Sequence, residues 1–92
     1  MIRVFKDKEL EKFFDGKSSR IPQDISNTLG RKLEMLEAAS TIDTLRQPPG
    51  NHLELLTGDR DGQYSIRINK RWRLCLIWED GNVYALELID YH

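Results

Sequence analysis

Two arginines and a terminal tripeptide carry the residue types that can act on a phosphodiester. Arg67 and Arg73 flank the short polar segment Asn69-Lys70-Arg71. If that segment is a three-residue loop, Ile68 pairs with Trp72 and Arg67 falls directly opposite Arg73. Like charges facing each other across a strand pair destabilise it by up to about 1 kcal/mol. A phosphate held between two guanidinium forks would offset that repulsion. So would an acidic neighbour, and Glu87 on the last strand is available. The second group is Asp90-Tyr91-His92. Imidazole titrates near pH ~6.5, which suits proton transfer at neutral pH. Asp90 would orient His92, and Tyr91 would stack on a base. A chain end is ordinarily solvated and frayed, but this one continues directly from an apolar strand. His52 and Glu54, two apart on one expected strand face, form a third group, although a single histidine there is more often structural.

Composition narrows the partners. The chain has 92 residues, a length suited to one domain with one core, and a formal net charge of −1. Its charge is unevenly spread: residues 59–73 carry +3 and residues 74–92 carry −4. Proteins that bind nucleic acid along their whole surface carry a basic excess, so an RNA partner must be met here by a local patch. Two histidines and the lone Cys75 make no metal site, and no P-loop, GxGxxG or GxSxG segment points to a cofactor or a serine nucleophile. No cofactor is expected. Cys75, between Leu74 and Leu76, reads as core. The charged start, the single thiol and the absence of a long apolar window predict a cytoplasmic protein with no membrane partner.

These groups need elements to position them. Ile2 and Val4 alternate with Arg3 and Phe5 as a short N-terminal strand. Asp7 is placed to cap a helix whose apolar face is Leu10, Phe13 and Phe14, ending near Gly16. Pro22 suits the first turn of a second helix with the stripe Ile25, Leu29, Leu33, Leu36 and Met35, running to Ala39. Gly30 inside it implies close packing. Thr41–Leu45 has no clear period, and Gln47-Pro48-Pro49-Gly50-Asn51 is a break. Beyond it the period becomes two. Strands are expected over His52–Leu56, Tyr64–Ile68, Trp72–Trp78 and Val83–Ile89, with turns at Gly58–Gly62 and Glu79–Asn82. Trp72–Trp78, apolar on both faces except at Arg73, would be central. Helices first and hairpin-linked strands after define an α+β fold over residues 1–92: the N-terminal strand and two helices pack on one face of a mostly antiparallel sheet. The opposite face is left for binding.

The succession L-x-G-D-R-x-G-x-Y-S-I-R-I-N-x-x-W-R-L from Leu56 to Leu74, closed by the terminal D-Y-H, resembles the HigB group of toxins in the RelE/ParE superfamily. The resemblance covers nearly the whole chain. It implies a RelE-like microbial RNase fold and a ribosome-dependent endoribonuclease that cuts mRNA in the ribosomal A site. It also implies a HigA-type helix-turn-helix antitoxin that holds the toxin inactive and carries it to operator DNA. By the same resemblance Asp90 and His92 are the functional acid and histidine, Arg73 is the basic residue of the W-R-L motif, and Arg67 matches a basic position of the wider group. One position departs: where relatives carry a histidine ahead of the G-D-R turn, this chain has Glu54, which suits a weaker toxin. The implied chemistry is attack by a 2′-hydroxyl on the adjacent phosphodiester. Arg73 and Arg67 would stabilise charge, His92 would transfer a proton, and Glu54 or His52 would be the other proton-transfer group. Lys70 and Arg71, at the loop tip, would contact RNA. Two readings stay open beside this one: a ParE-like inhibitor of DNA gyrase, and a binding module without catalysis.

Overall fold

The structure, a computed structural model, describes residues 1–91. Two helices, α1 (Lys8–Phe14) and α2 (Ser26–Ala38), precede a four-stranded antiparallel sheet of β1 (Glu54–Leu55), β2 (Tyr64–Arg67), β3 (Trp72–Glu79) and β4 (Asn82–Asp90), ordered β1-β2-β3-β4. This is the expected α+β architecture. The Asp7 carboxylate accepts from the amides of Glu9 and Leu10 at 3.0 and 3.2 Å, satisfying two orphan donors of α1. Leu10 of α1 and Leu29, Leu33 and Leu36 of α2 are fully buried against Ile66, Leu74, Leu76, Val83 and Leu86 of the sheet. Burial of this order, at about 25 cal/mol per Å² of apolar surface, is what holds so small a domain together.

Several expectations give way. Ile2–Phe5 is not a regular strand: it touches β4 in parallel through two isolated bridges, Ile2 with Val83 and Phe5 with Leu86. Ala85, in the left-handed region at φ 50, lies opposite the gap between them. The segment after the proline break forms a 3-10 turn, Pro49–Asn51, ended by His52 at φ 42 and ψ 54. That left-handed residue ends any extended run, so β1 is only two residues long and Leu55 is 60% exposed. Thr41–Leu45 resolves into a 3-10 turn over Ile42–Arg46 that buries Leu45. Gly30 is not explained by close packing, since a Cβ there would meet nothing within 4 Å. Among the described residues no helix is long and apolar enough to cross a membrane.

The β3–β4 pairing decides which side chains face the open side of the sheet. A two-residue turn, Asp80-Gly81, has both residues at positive φ, the conformation that matches strand twist. From it Trp78 pairs with Val83 and Ile77 with Tyr84. The register then slips between Cys75 and Ile77, so that Cys75 meets Glu87, Arg73 meets Ile89 and Trp72 meets Asp90. The bulge inserts one residue into β4 and reverses the facing of everything after it.

Candidate active site

Side chains that pair directly across strands share a face. One row on the open side of the sheet is therefore Glu54, Ser65, Cys75 and Glu87, and the next is Arg67, Arg73 and Ile89. The three-residue loop forms as expected: the Ile68 amide donates to the Trp72 carbonyl at 2.9 Å. The Asn69 side-chain oxygen accepts from the amides of both Arg71 and Trp72 at 2.8 Å, closing the loop in the manner of an Asx turn. Arg67 stands opposite Arg73.

Neither arginine forms an ion pair among the described residues. Arg67 Nε donates to the Asn69 carbonyl at 3.1 Å. Arg73 Nε donates to Ser65 Oγ at 2.9 Å, and its NH2 group to the His52 carbonyl at 2.8 Å. All three acceptors are neutral. Glu87, available in principle to neutralise the pair, is instead bridged by Lys6 at 3.1 Å and Arg60 at 3.5 Å. Two uncompensated guanidinium groups thus share the floor of a cleft of about 330 Å³. Glu54, His52, Lys70, Asn69 and Tyr91 line its walls. The Tyr91 ring lies 5.8 Å from the Arg73 guanidinium.

The structure brings together six of the nine expected site residues. Arg67, Arg73, Glu54, His52, Lys70 and Tyr91 meet in the cleft. His52 does so at the end of a 3-10 turn and not on a strand beside Glu54. Asp90 pairs with Trp72 on the opposite face from Arg73, and Arg71 takes its carboxylate in a bidentate grip at 2.9 and 2.8 Å; its expected role in orienting His92 lies outside the described residues. Arg71 is accordingly not a free cation at the loop tip; its guanidinium also lies 5.1 Å from the Trp72 ring. The Asp90 hydrogen bond holds the Arg71 guanidinium above its ordinary value. His92 lies outside the described residues.

Cys75 is buried, as expected of a core residue. It stands apart from the helix–sheet cluster, on the open face in the row of Ser65 and Glu87. Burial pushes its thiol up, against the opposing influence of Arg60 and a hydrogen bond with Tyr91. Burial, followed by the proximity of Cys75, likewise pushes the Tyr91 phenol up. Sequence reasoning missed Ser65, which orients Arg73 from a completely buried position. Its signal was present: Ser65 is two residues before Arg67 on an alternating strand, hence on the same face.

An antiparallel sheet covered by helices on one side, with a cationic cleft on the other, is the architecture of the small RelE-like toxins. The same fold appears in the solved YoeB–YefM toxin–antitoxin complex from Staphylococcus aureus, with a TM-score of 0.63, 19% identity, and coverage of 100% of this chain and 95% of that one. Residues 3–92 match the family model described as the RelE-like toxin of type II toxin–antitoxin system HigB. The chain is 53% identical over 83 residues to Toxin HigB-1 of Vibrio cholerae, covering 88% of this chain and 87% of that protein. It is 32% identical over 93 residues to Endoribonuclease HigB of Proteus vulgaris, covering 100% of both. The chain belongs to the HigB family of RelE-like toxins.

Proposed function

We propose that this protein is an endoribonuclease toxin that cuts mRNA on the ribosome, arresting translation and growth. A HigA-type helix-turn-helix antitoxin holds it inactive in the cytoplasm and brings it to operator DNA. The observation that carries the reading is the Arg67–Arg73 pair, opposed across β2 and β3 with no carboxylate partner among the described residues. Two guanidinium groups held this close favour an anion between them, and a phosphodiester in the cleft meets that requirement. Family membership and the endoribonuclease name of the Proteus vulgaris relative agree with it.

In the reaction, the Glu54 carboxylate takes the proton of the ribose 2′-hydroxyl as its oxygen bonds to the adjacent phosphorus. Arg73 and Arg67 stabilise the negative charge that builds on the non-bridging oxygens. The bond to the 5′-oxygen breaks, and His92 protonates the leaving oxygen. The products are a 2′,3′-cyclic phosphate and a 5′-hydroxyl end. Tyr91, on the cleft wall, stacks on a neighbouring base. Asp90 serves through Arg71, fixing the strand end next to Tyr91. A chain of net charge −1 lacks the basic surface to hold mRNA alone, and the ribosome supplies substrate positioning.

The test is to induce expression and map mRNA 5′ ends on ribosomes. Arg73→Ala is expected to lower cleavage by about 10²–10³-fold, the usual loss on removing one charge-stabilising donor, and His92→Ala should also abolish growth arrest. If both variants cut and arrest growth as the intact protein does, the mechanism fails. Gyrase-linked DNA damage without mRNA cleavage would point to the ParE-like activity instead.

A further inference from the structure

We infer that His52 acts through its backbone carbonyl and not its imidazole, and that buried Asn51 and Ser65 are positioning residues that aim Arg73 at the anion. The inference rests on the assignment of Arg73 to the phosphate. A guanidinium carries five N–H donors in a rigid fork. In Arg73, Nε is committed to Ser65 Oγ at 2.9 Å and one arm to the His52 carbonyl at 2.8 Å. These two acceptors stand on different segments, so together they fix both the position and the plane of the fork. Its remaining donors are left for a ligand in the cleft.

The His52 carbonyl points where it does because of an unusual backbone. Residue 52 lies in the left-handed region at φ 42 and ψ 54, which few residues other than glycine adopt and which histidine and asparagine tolerate better than most. Asn51, completely buried, holds the preceding turn in place. Its side-chain amide donates to the Leu45 carbonyl at 2.9 Å and to Met35 Sδ at 3.1 Å, and its oxygen accepts from Lys32 Nζ. Its backbone amide donates to the Pro48 carbonyl at 3.0 Å. One buried amide thus ties the 3-10 turn to α2 and to the Ile42–Arg46 turn. The His52 side chain, by contrast, is exposed and makes no hydrogen bond among the described residues. Burying a fully satisfied asparagine in a small core is costly unless the geometry it imposes matters, and the residue after it sets the direction of the Arg73 clamp.

Two substitutions separate carbonyl from imidazole. His52→Gly removes the imidazole while keeping the carbonyl and easing the left-handed backbone. His52→Val imposes a β-branched residue that resists that backbone. With ribosome-bound mRNA as substrate, the glycine variant should cut at least about tenfold faster than the valine variant, mainly through kcat, since the clamp acts on charge that develops in the transition state. Its pH profile should run parallel to that of the intact protein. Equal losses in the two variants, or a pH profile in the glycine variant that changes shape from that of the intact protein, would make the imidazole the acting group. A second measurement does not need cleavage: inorganic phosphate is titrated against the Arg73 Nε–H resonance in the intact protein, His52→Gly and Ser65→Ala. Severalfold weaker binding in Ser65→Ala alone supports the clamp, and unchanged binding there overturns it. If the intact protein binds phosphate at Arg73 but cuts no mRNA, the enzymatic reading fails while the clamp stands.

Discussion

Arg71 holds Asp90 with both arms of its guanidinium, Nε to Oδ1 at 2.9 Å and NH2 to Oδ2 at 2.8 Å, across the last pair of the β3–β4 ladder. The Tyr91 amide also donates to the Arg71 carbonyl, so residue 71 grips the chain end by side chain and backbone together. If this is how Asp90 contributes, Arg71→Ala and Asp90→Asn should lower mRNA cleavage by similar factors, about tenfold each, and the double variant should lose little more. Exchanging the charges, Arg71→Asp with Asp90→Arg, should recover part of the loss. A far larger defect in Asp90→Asn than in Arg71→Ala, with no recovery on exchange, would place Asp90 in the chemistry itself.

The facing arginines set function against stability. Arg67 contributes its positive charge without an ion-pair partner among the described residues. Arg67→Gln should raise the unfolding free energy by a few tenths of a kcal/mol, read as a higher urea midpoint, through relief of like-charge repulsion. It should also lower cleavage several-fold. A midpoint that falls would mean that Arg67 stabilises the empty cleft by some other contact.

Ala85 is the strained member of the bulge, at φ 50. Glycine occupies that region without a Cβ penalty, so Ala85→Gly should be neutral or stabilising by up to about 1 kcal/mol, and Ala85→Val destabilising. Deleting Ala85 should do something different: it removes the bulge residue while leaving Glu87 opposite Cys75 and Ile89 opposite Arg73, so the cleft side chains keep their facing. The deletion variant should keep cleavage wherever it still folds, which circular dichroism and a cleavage assay would show together.

Cys75 gives the stability curve an alkaline limb. Burial raises the folded thiol above its ordinary value. Above the unfolded value, near pH ~8.5, the unfolded chain releases the proton while the folded one retains it, and stability falls with rising pH until the folded thiol also ionises. Below that window the contribution is fully present. Cys75→Ala should therefore flatten the decline in stability that sets in above about pH 8.5, measured by denaturation on the alkaline side of neutrality. In the folded protein the thiol should also resist alkylation at neutral pH.

Local physics made a large part of this protein legible. Asp7 caps α1 because a carboxylate three residues before a hydrophobic position can reach two unpaired amides. The stripe Leu29, Leu33, Leu36 buries because its spacing is helical. The Asn69–Arg71 loop puts Arg67 opposite Arg73 because loop length fixes hairpin register. Each of these depends on residues close together in the chain.

What tertiary structure alone decided begins at the bulge. With uninterrupted alternation from the Asp80-Gly81 turn, Asp90 would face the arginines and Tyr91 the helices. One inserted residue, admitted where Leu86 must enter the core against the N-terminal segment, reverses that assignment. The left-handed His52, the Asn51 anchor and the Arg60–Glu87 bridge arise in the same way, from contacts between segments far apart in sequence. Period and spacing determine which residues can share a face within one element. Which of them meet across elements is set by how the whole core closes, so the two arginines and most of the residues lining their cleft were visible in the sequence, while the way His52 and Ser65 aim Arg73 was not.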